Sequence, residues 1–227
     1  MSAYLSDVKP GDAPTRLDLP GLTMWKLSVS DMHNNVYLLR DATPETGGAA
    51  VLIDAAADAG AITAMLDEAC VDRLDAVVTT HKHWDHHRAL PELAERADAT
   101  LAGVEDGPHL PVAPARTLSD GDTIQFGAQT LVAHHVPGHT PGSVVLSWTP
   151  PAGSDALPQL WTGDTLFPGG VGATTHSDEQ SFDELFTMVR DRIFGRYDDA
   201  DVHPGHGDDT RLSVERPHLD EWRERGW

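Results

Sequence analysis

Three histidines and one aspartate fall within six consecutive positions, His81-Lys82-His83-Trp84-Asp85-His86. The apolar, β-branched run Asp75 to Thr80 precedes them and reads as a buried strand. Arg88 to Arg96 follows and reads as a helix. The cluster therefore sits on a strand-to-helix loop, where a rigid scaffold presents functional side chains. Neutral imidazole nitrogens and carboxylate oxygens suit zinc and similar divalent ions. On a bending loop His81 and His83 can face one way and Asp85 and His86 another, which suits two neighbouring ions better than one.

The rest of the chain must supply a core that holds this loop still. The 227 residues are 40% hydrophobic and 23% charged, ordinary values for a globular protein. Strands are expected at Leu22 to Ser30, Asn35 to Arg40, Ala49 to Asp54 and Ala99 to Gly103. Further short strands are expected at 116–118, 123–126, 129–136, 143–148, 160–162 and 201–203. Helices are expected at Ala61 to Cys70, on the spacing of Ile62, Met65, Leu66 and Ala69, and at Phe182 to Phe194. Ser181 is placed to cap the second, with Glu184 at the capping-box position. Residues 1–20 read as an extended lead-in and 213–227 as a terminal helix. With no internal repeat or long linker, residues 1–227 are expected to form a single α/β layered domain.

Sixteen Lys and Arg against 36 Asp and Glu give a formal charge of -20. Such a charge disfavours nucleic acid and anionic lipid as partners. No stretch has the apolar length of a bilayer span, and the N-terminus lacks the apolar core of a secretory signal. The single cysteine, Cys70, has no internal disulfide partner, which fits a reducing cytoplasm; it is expected to be a small buried apolar residue.

Three later segments each put one candidate ligand beside Gly or Pro. They are Pro137-Gly138-His139, Gly163-Asp164-Thr165 and Pro204-Gly205-His206. Glycine and proline fix the backbone there and allow close approach. Taken with the first cluster, the set resembles the metallo-β-lactamase superfamily. The matching residues are His81, His83, Asp85 and His86, then His139, Asp164 and His206, and the likeness runs from about Leu22 to His206. It implies a four-layer αββα sandwich with two divalent metal ions at one edge, zinc foremost, with iron or manganese also suited. By that likeness one ion takes His81, His83 and His139. The other takes Asp85, His86 and His206, and Asp164 bridges both. Asp85 is in addition the residue assigned to catalysis.

A bridging aspartate at 164 disfavours antibiotic hydrolysis. The run Gly163-Asp164-Thr165-Leu166-Phe167 followed by glycines is similar to the glyoxalase II (hydroxyacylglutathione hydrolase) group of thioester hydrolases. Little more than one helix follows His206 in this sequence, so that group's glutathione site is not carried over by the resemblance, and a member without the glutathione-binding helical domain is expected. The implied reaction is attack of a metal-bridging hydroxide on a small-molecule acyl thioester. A thiol with a pKa near about 8.5 leaves without a strong acid. A lactonase, an iron-dependent persulfide oxidoreductase and a non-catalytic metal-binding protein are the other readings. There is no Gly-x-Ser-x-Gly elbow, P-loop or Cys-x-x-Cys pair.

The remaining histidines carry less. His134 and His135 are neighbours on a strand and face opposite sides; they are read as structural or solvated. His87 either backs the cluster or is exposed, and His176 either lines the substrate pocket or is solvated. His203 is expected to pack at a strand end, and His33 and His109 are weaker candidates. Trp84 is expected to be a pocket wall or a packing residue, and Trp222 and Trp227 packing residues.

Overall fold

The computed structural model describes residue 4 and residues 6–226; Trp227 lies outside them. Seven strands form the first sheet in chain order: β1 Thr15–Leu19, β2 Leu22–Val29, β3 Asn34–Asp41, β4 Ala50–Ile53, β5 Ala76–Thr79, β6 Thr100–Gly103 and β7 Arg116–Leu118. The first three joins are antiparallel and the last three parallel. Helix α1 Ala59–Glu68 crosses between β4 and β5, and α2 Leu90–Ala94 between β5 and β6.

Strands β8 Thr123–Phe126, β9 Gln129–His135, β10 Val144–Trp148 and β11 Gln159–Gly163 belong to a second sheet. A two-stranded hairpin, β12 Leu166–Phe167 and β13 Gly170–Val171, interrupts it, and β14 Asp201–Pro204 and β15 Thr210–Arg211 complete it. Its spatial order is β15-β14-β11-β10-β9-β8. Helix α3 Phe182–Met188 continues as a π-helical stretch, Val189–Phe194; α4 Leu212–Glu215 and α5 Leu219–Arg225 end the chain.

Three apolar clusters define the layers. Trp25, Leu27, Val36 and Leu52 pack outward against Ile62, Met65 and Leu66 of α1 and Leu90 and Leu93 of α2. Met24, Tyr37, Leu39, Val51 and Val78 point the other way, against Phe126, Leu131, Leu146, Trp148 and Trp161 of the second sheet. Val145, Leu160 and Val202 cover that sheet's far side with Leu185, Phe186 and Ile193, and with Trp222 of α5. Helices, sheet, sheet, helices is the expected αββα sandwich. Because both faces of the first sheet are covered, all four residues of β4, Ala-Val-Leu-Ile, are buried, which is why it reads as a continuous apolar run; all eight residues of β2 are buried too, Thr23, Lys26 and Ser28 included.

The differences from expectation lie at element ends. β1 occupies what reads as a lead-in; its alternating exposure over Thr15–Leu19 is that of an edge strand covered on one face. Helix α1 starts two residues early because the Asp58 side chain accepts from Ala61 N at 3.0 Å. It ends before Cys70, which takes φ +55° and is exposed, not buried as expected. A left-handed residue after a helix turns its side chain away from the helix's packed face. Helix α2 is shorter than expected, since Pro91 lies in its first turn. Ser181 does cap α3, accepting from Glu184 N at 3.3 Å.

Candidate metal centre

Both sheets send residues to the same edge. The loop after β5 carries His81, His83, Asp85 and His86; the β9–β10 turn carries His139; Asp164 follows β11 and His206 follows β14. Among the described residues three trios of donors have their ligand atoms within 4.8 Å of one another. They are His81-His83-His139, Asp85-His86-His206 and His81-His86-Asp164. All seven sequence-derived candidates thus converge.

The outer nitrogens decide what the inner ones can do. His139 Nδ1 lies 2.8 Å from Ala173 O, and His206 Nδ1 lies 2.8 Å from Met32 O. A carbonyl only accepts, so each Nδ1 carries a proton, and in the neutral, metal-binding form of the ring Nε2 carries the lone pair. His86 Nδ1 donates likewise to Asp54 Oδ2 at 2.9 Å. Two lone-pair nitrogens then face each other, His86 Nε2 and His206 Nε2 at 3.1 Å, and His139 Nε2 lies 2.9 Å from His83 Nδ1. Two acceptors that close repel unless a cation lies between them. Donors roughly 2.0–2.1 Å from one tetrahedral ion sit about 3.3 Å apart, close to these spacings.

His81 Nε2 and Asp164 Oδ1 are buried with no hydrogen-bond partner. Asp164 reaches across the site, with Oδ1 3.4 Å from His86 Nε2 and Oδ2 3.4 Å from His206 Nε2 and 3.6 Å from His139 Nε2. Glycines make room for it. A Cβ on Gly205 would meet Asp164 Oδ1 at 2.3 Å, and one on Gly172 would meet Asp164 O at 1.8 Å.

Burial pushes His81, His83 and His139 below the ordinary imidazole value, His83 to about 4. Burial acts the same way on His86 and His206, but the facing carboxylates outweigh it. His86 is held above that value by Asp164 and Asp54, and His206 is raised to about 9 by Asp164 and Asp85. For Asp164 burial is outweighed by His86 and His206, which hold its carboxyl well below the usual range. Imidazoles held neutral at His81, His83 and His139, and carboxylates that draw positive charge toward His86 and His206, together form a cation-binding cluster. The donor set fits divalent ions.

This arrangement matches a known profile. Residues 29–206 align with the family described as Metallo-beta-lactamase superfamily. The chain belongs to the metallo-beta-lactamase superfamily. Within it, the chain is 34% identical over 174 residues to a hydroxyacylglutathione hydrolase of Anaeromyxobacter dehalogenans, covering 76% of this chain. It spans only 61% of that relative's length. Among solved structures, one titled TTHA1623 in a di-iron-bound form superposes with a TM-score of 0.68 at 28% identity, over 84% of this chain and 96% of that one. BLEG-1 B3 metallo-beta-lactamase superposes at 0.73 and 21% identity, over 88% and 99%, a likeness of fold.

Several supporting residues of this superfamily member were not singled out from sequence. Asp54 follows β4 with φ +57° and also accepts from Thr80 N at 2.7 Å and Thr80 Oγ1 at 2.8 Å. Asn34 Nδ2 donates to Asp85 Oδ2 at 2.9 Å. Asp106, fully buried, accepts from Lys82 N at 2.9 Å, Thr140 Oγ1 at 2.5 Å and Gly142 N at 2.9 Å. It ties the first ligand loop to the turn that carries His139.

The other histidines fall elsewhere. His134 is buried against Ser147 Oγ at 2.8 Å, and His135 lies 2.8 Å from Pro141 O; both are structural. His203 packs at the end of its strand between Asp209 Oδ2 at 2.9 Å and Gln159 Oε1 at 2.8 Å. His87 backs the ligand loop through Lys82 O at 3.1 Å. His33 sits in the β2–β3 turn with φ +57°, and His109 closes a single turn after β6. A cavity of about 570 Å³ opens onto the cluster, and His176 and Trp84 line it.

Proposed function

We propose that the chain is a dinuclear metallohydrolase that cleaves an acyl thioester. In this reading His81, His83 and His139 hold one divalent ion and Asp85, His86 and His206 the other, with Asp164 reaching both. The supporting observation is the convergence of lone-pair nitrogens whose opposite nitrogens donate to Asp54, Ala173 O and Met32 O. Such outer partners fix ligand tautomer and orientation. Zinc suits the mixed imidazole and carboxylate donors, and iron is the rival metal. A bound pair of ions supplies an acidified water and a Lewis acid for the carbonyl oxygen.

The protein's own groups do the rest. Burial raises the Asp85 carboxyl, but His206, His86 and Asn34 hold it well below the usual range. The carboxylate is held in place by Asn34 Nδ2, 2.9 Å from Asp85 Oδ2, and in this reading it orients the nucleophile as an acceptor. The cavity offers His176 as its only titratable side chain beyond the seven candidate ligands. A thiolate leaving group needs no stronger acid, which favours a thioester over an alkoxide-releasing ester. Apolar walls exclude water and strengthen the electrostatic interactions inside.

The test is metal analysis of the purified protein alongside thioester and lactone hydrolysis. Expected are two equivalents of metal, loss of thioesterase activity on chelation and its return with zinc. Full thioester turnover by a metal-free sample would overturn the reading.

A further inference from the structure

Among the described residues four large apolar side chains are exposed: Met32 at 48%, Trp84 at 57%, Val104 at 42% and Val214 at 58%. Two of these, Met32 and Trp84, line the cavity that opens onto His83, Asp85, His139, Asp164 and His206. Apolar surface left open to water around a polar centre marks a binding site.

The Trp84 ring and the Met32 backbone are held in place. Trp84 starts the turn fixed by His86 N donating to His83 O at 3.0 Å, and the Arg88 guanidinium lies 4.6 Å from its ring centre. Because His83 and Asp85 face inward, the residue between them is directed to the mouth. Met32 N donates to Ser30 Oγ at 3.1 Å and its carbonyl accepts from His206. Phe167 continues the wall, its ring 6.4 Å from that of His206.

Beyond the candidate ligands the lining carries no carboxylate, and no Lys or Arg is among its residues. Lys82, the nearest cation in sequence, is paired with Glu179 at 2.6 Å. Arg88 is stacked on Trp84 and lies outside the lining. Glutathione brings a pair of carboxylates remote from its thiol, and desolvating them against Trp84, Met32 and Phe167 with no Lys or Arg beside them is unfavourable.

We infer that the site takes a thioester with an apolar acyl chain on an uncharged thiol, and that Trp84, Met32 and Phe167 set this preference. The inference rests on the thioesterase reading and narrows it. Groups that recognise the substrate by apolar contact lower KM, since they bind ground state and transition state alike.

Zinc-loaded protein is assayed on hexanoyl-N-acetylcysteamine and on hexanoylglutathione, which differ only in the thiol. Binding of the matching thioethers, S-hexyl-N-acetylcysteamine and S-hexylglutathione, is measured by calorimetry. Expected is a kcat/KM at least about tenfold higher for the neutral thioester, carried by KM, with the neutral thioether binding more tightly by a similar factor. Trp84→Ala should raise KM for the neutral thioester roughly fivefold at unchanged metal content, with Trp84→Phe restoring most of the loss. Equal or better turnover and binding of the glutathione compounds would overturn the inference while leaving a thioesterase in place. So would a Trp84→Ala variant that weakens both substrates equally. Hydrolysis of neither thioester would remove the underlying reading itself.

Discussion

Asp106 touches no candidate ligand, yet it joins the two segments that carry His81, His83 and His139. Its oxygens accept from Lys82 N, Thr140 Oγ1 and Gly142 N, all buried or partly buried. Asp106→Ala leaves three donors without an acceptor. A hydrogen bond to a charged group contributes about 1.5–3 kcal/mol, and relief of carboxylate desolvation returns part of that. A net loss of about 3–5 kcal/mol follows. Urea m-values run about 1–3 kcal/mol/M, and a chain of this size lies near the top of that range. The midpoint should therefore fall by roughly 1–1.5 M, with m unchanged. Loss of an outer support typically costs about 10–100-fold in metal affinity, so one equivalent of zinc should be released at lower chelator concentration than the other. Urea unfolding followed by fluorescence, with competitive chelator titration, measures both. A loss under about 1 kcal/mol with both equivalents retained would refute the assignment of Asp106 as the brace.

Two further perturbations test the supports. At Asp41 burial is outweighed by hydrogen bonds from Thr43, Thr46, Ala128 N and Gln129, so its carboxyl is held below the usual range. A depressed carboxyl stabilises the fold above its unfolded value, about 3.9, and loses that contribution as pH falls further. Asp41→Asn should thus cost about 2 kcal/mol at pH 7, and the gap to wild type should shrink below about pH 4 in urea titrations. Lys26 is fully buried and donates at 2.7 Å to Ser6 O, Gly207 O and Asp209 Oδ1. Lys26→Met removes one partner of the Asp209 carboxylate beside the turn that carries His206, leaving His203 and Tyr4 on it, and should lower stability by about 2–3 kcal/mol by thermal or urea unfolding.

The strands of both cores were legible because each is a local pattern: an apolar run where both faces are covered, as in β4, or alternation, as in β8. The seven candidate ligands were legible because their types and spacing are unusual and each lies beside a strand end. Asp54, Asp106 and Asn34 were not, because what gives them a role is a partner far along the chain. Asn34 meets Asp85 and Asp106 meets Gly142 only after the sheets have stacked. An aspartate at a strand end looks the same whether it faces water or an imidazole. β1 was missed for a different reason. Its alternation of Leu17 and Leu19 with Arg16 and Asp18 was present, but the surrounding prolines suggested loop. Cys70 shows the limit of composition, since its exposure follows from a single left-handed backbone angle.

The seam between the sheets runs through the site. One sheet supplies His81, His83, Asp85 and His86; the other supplies His139, Asp164 and His206. Sliding one layer past the other by an ångström would pull every donor trio apart at once. Bound cations would act as rivets across that seam, so metal affinity and the shear stiffness of the whole sandwich are two readings of one free energy.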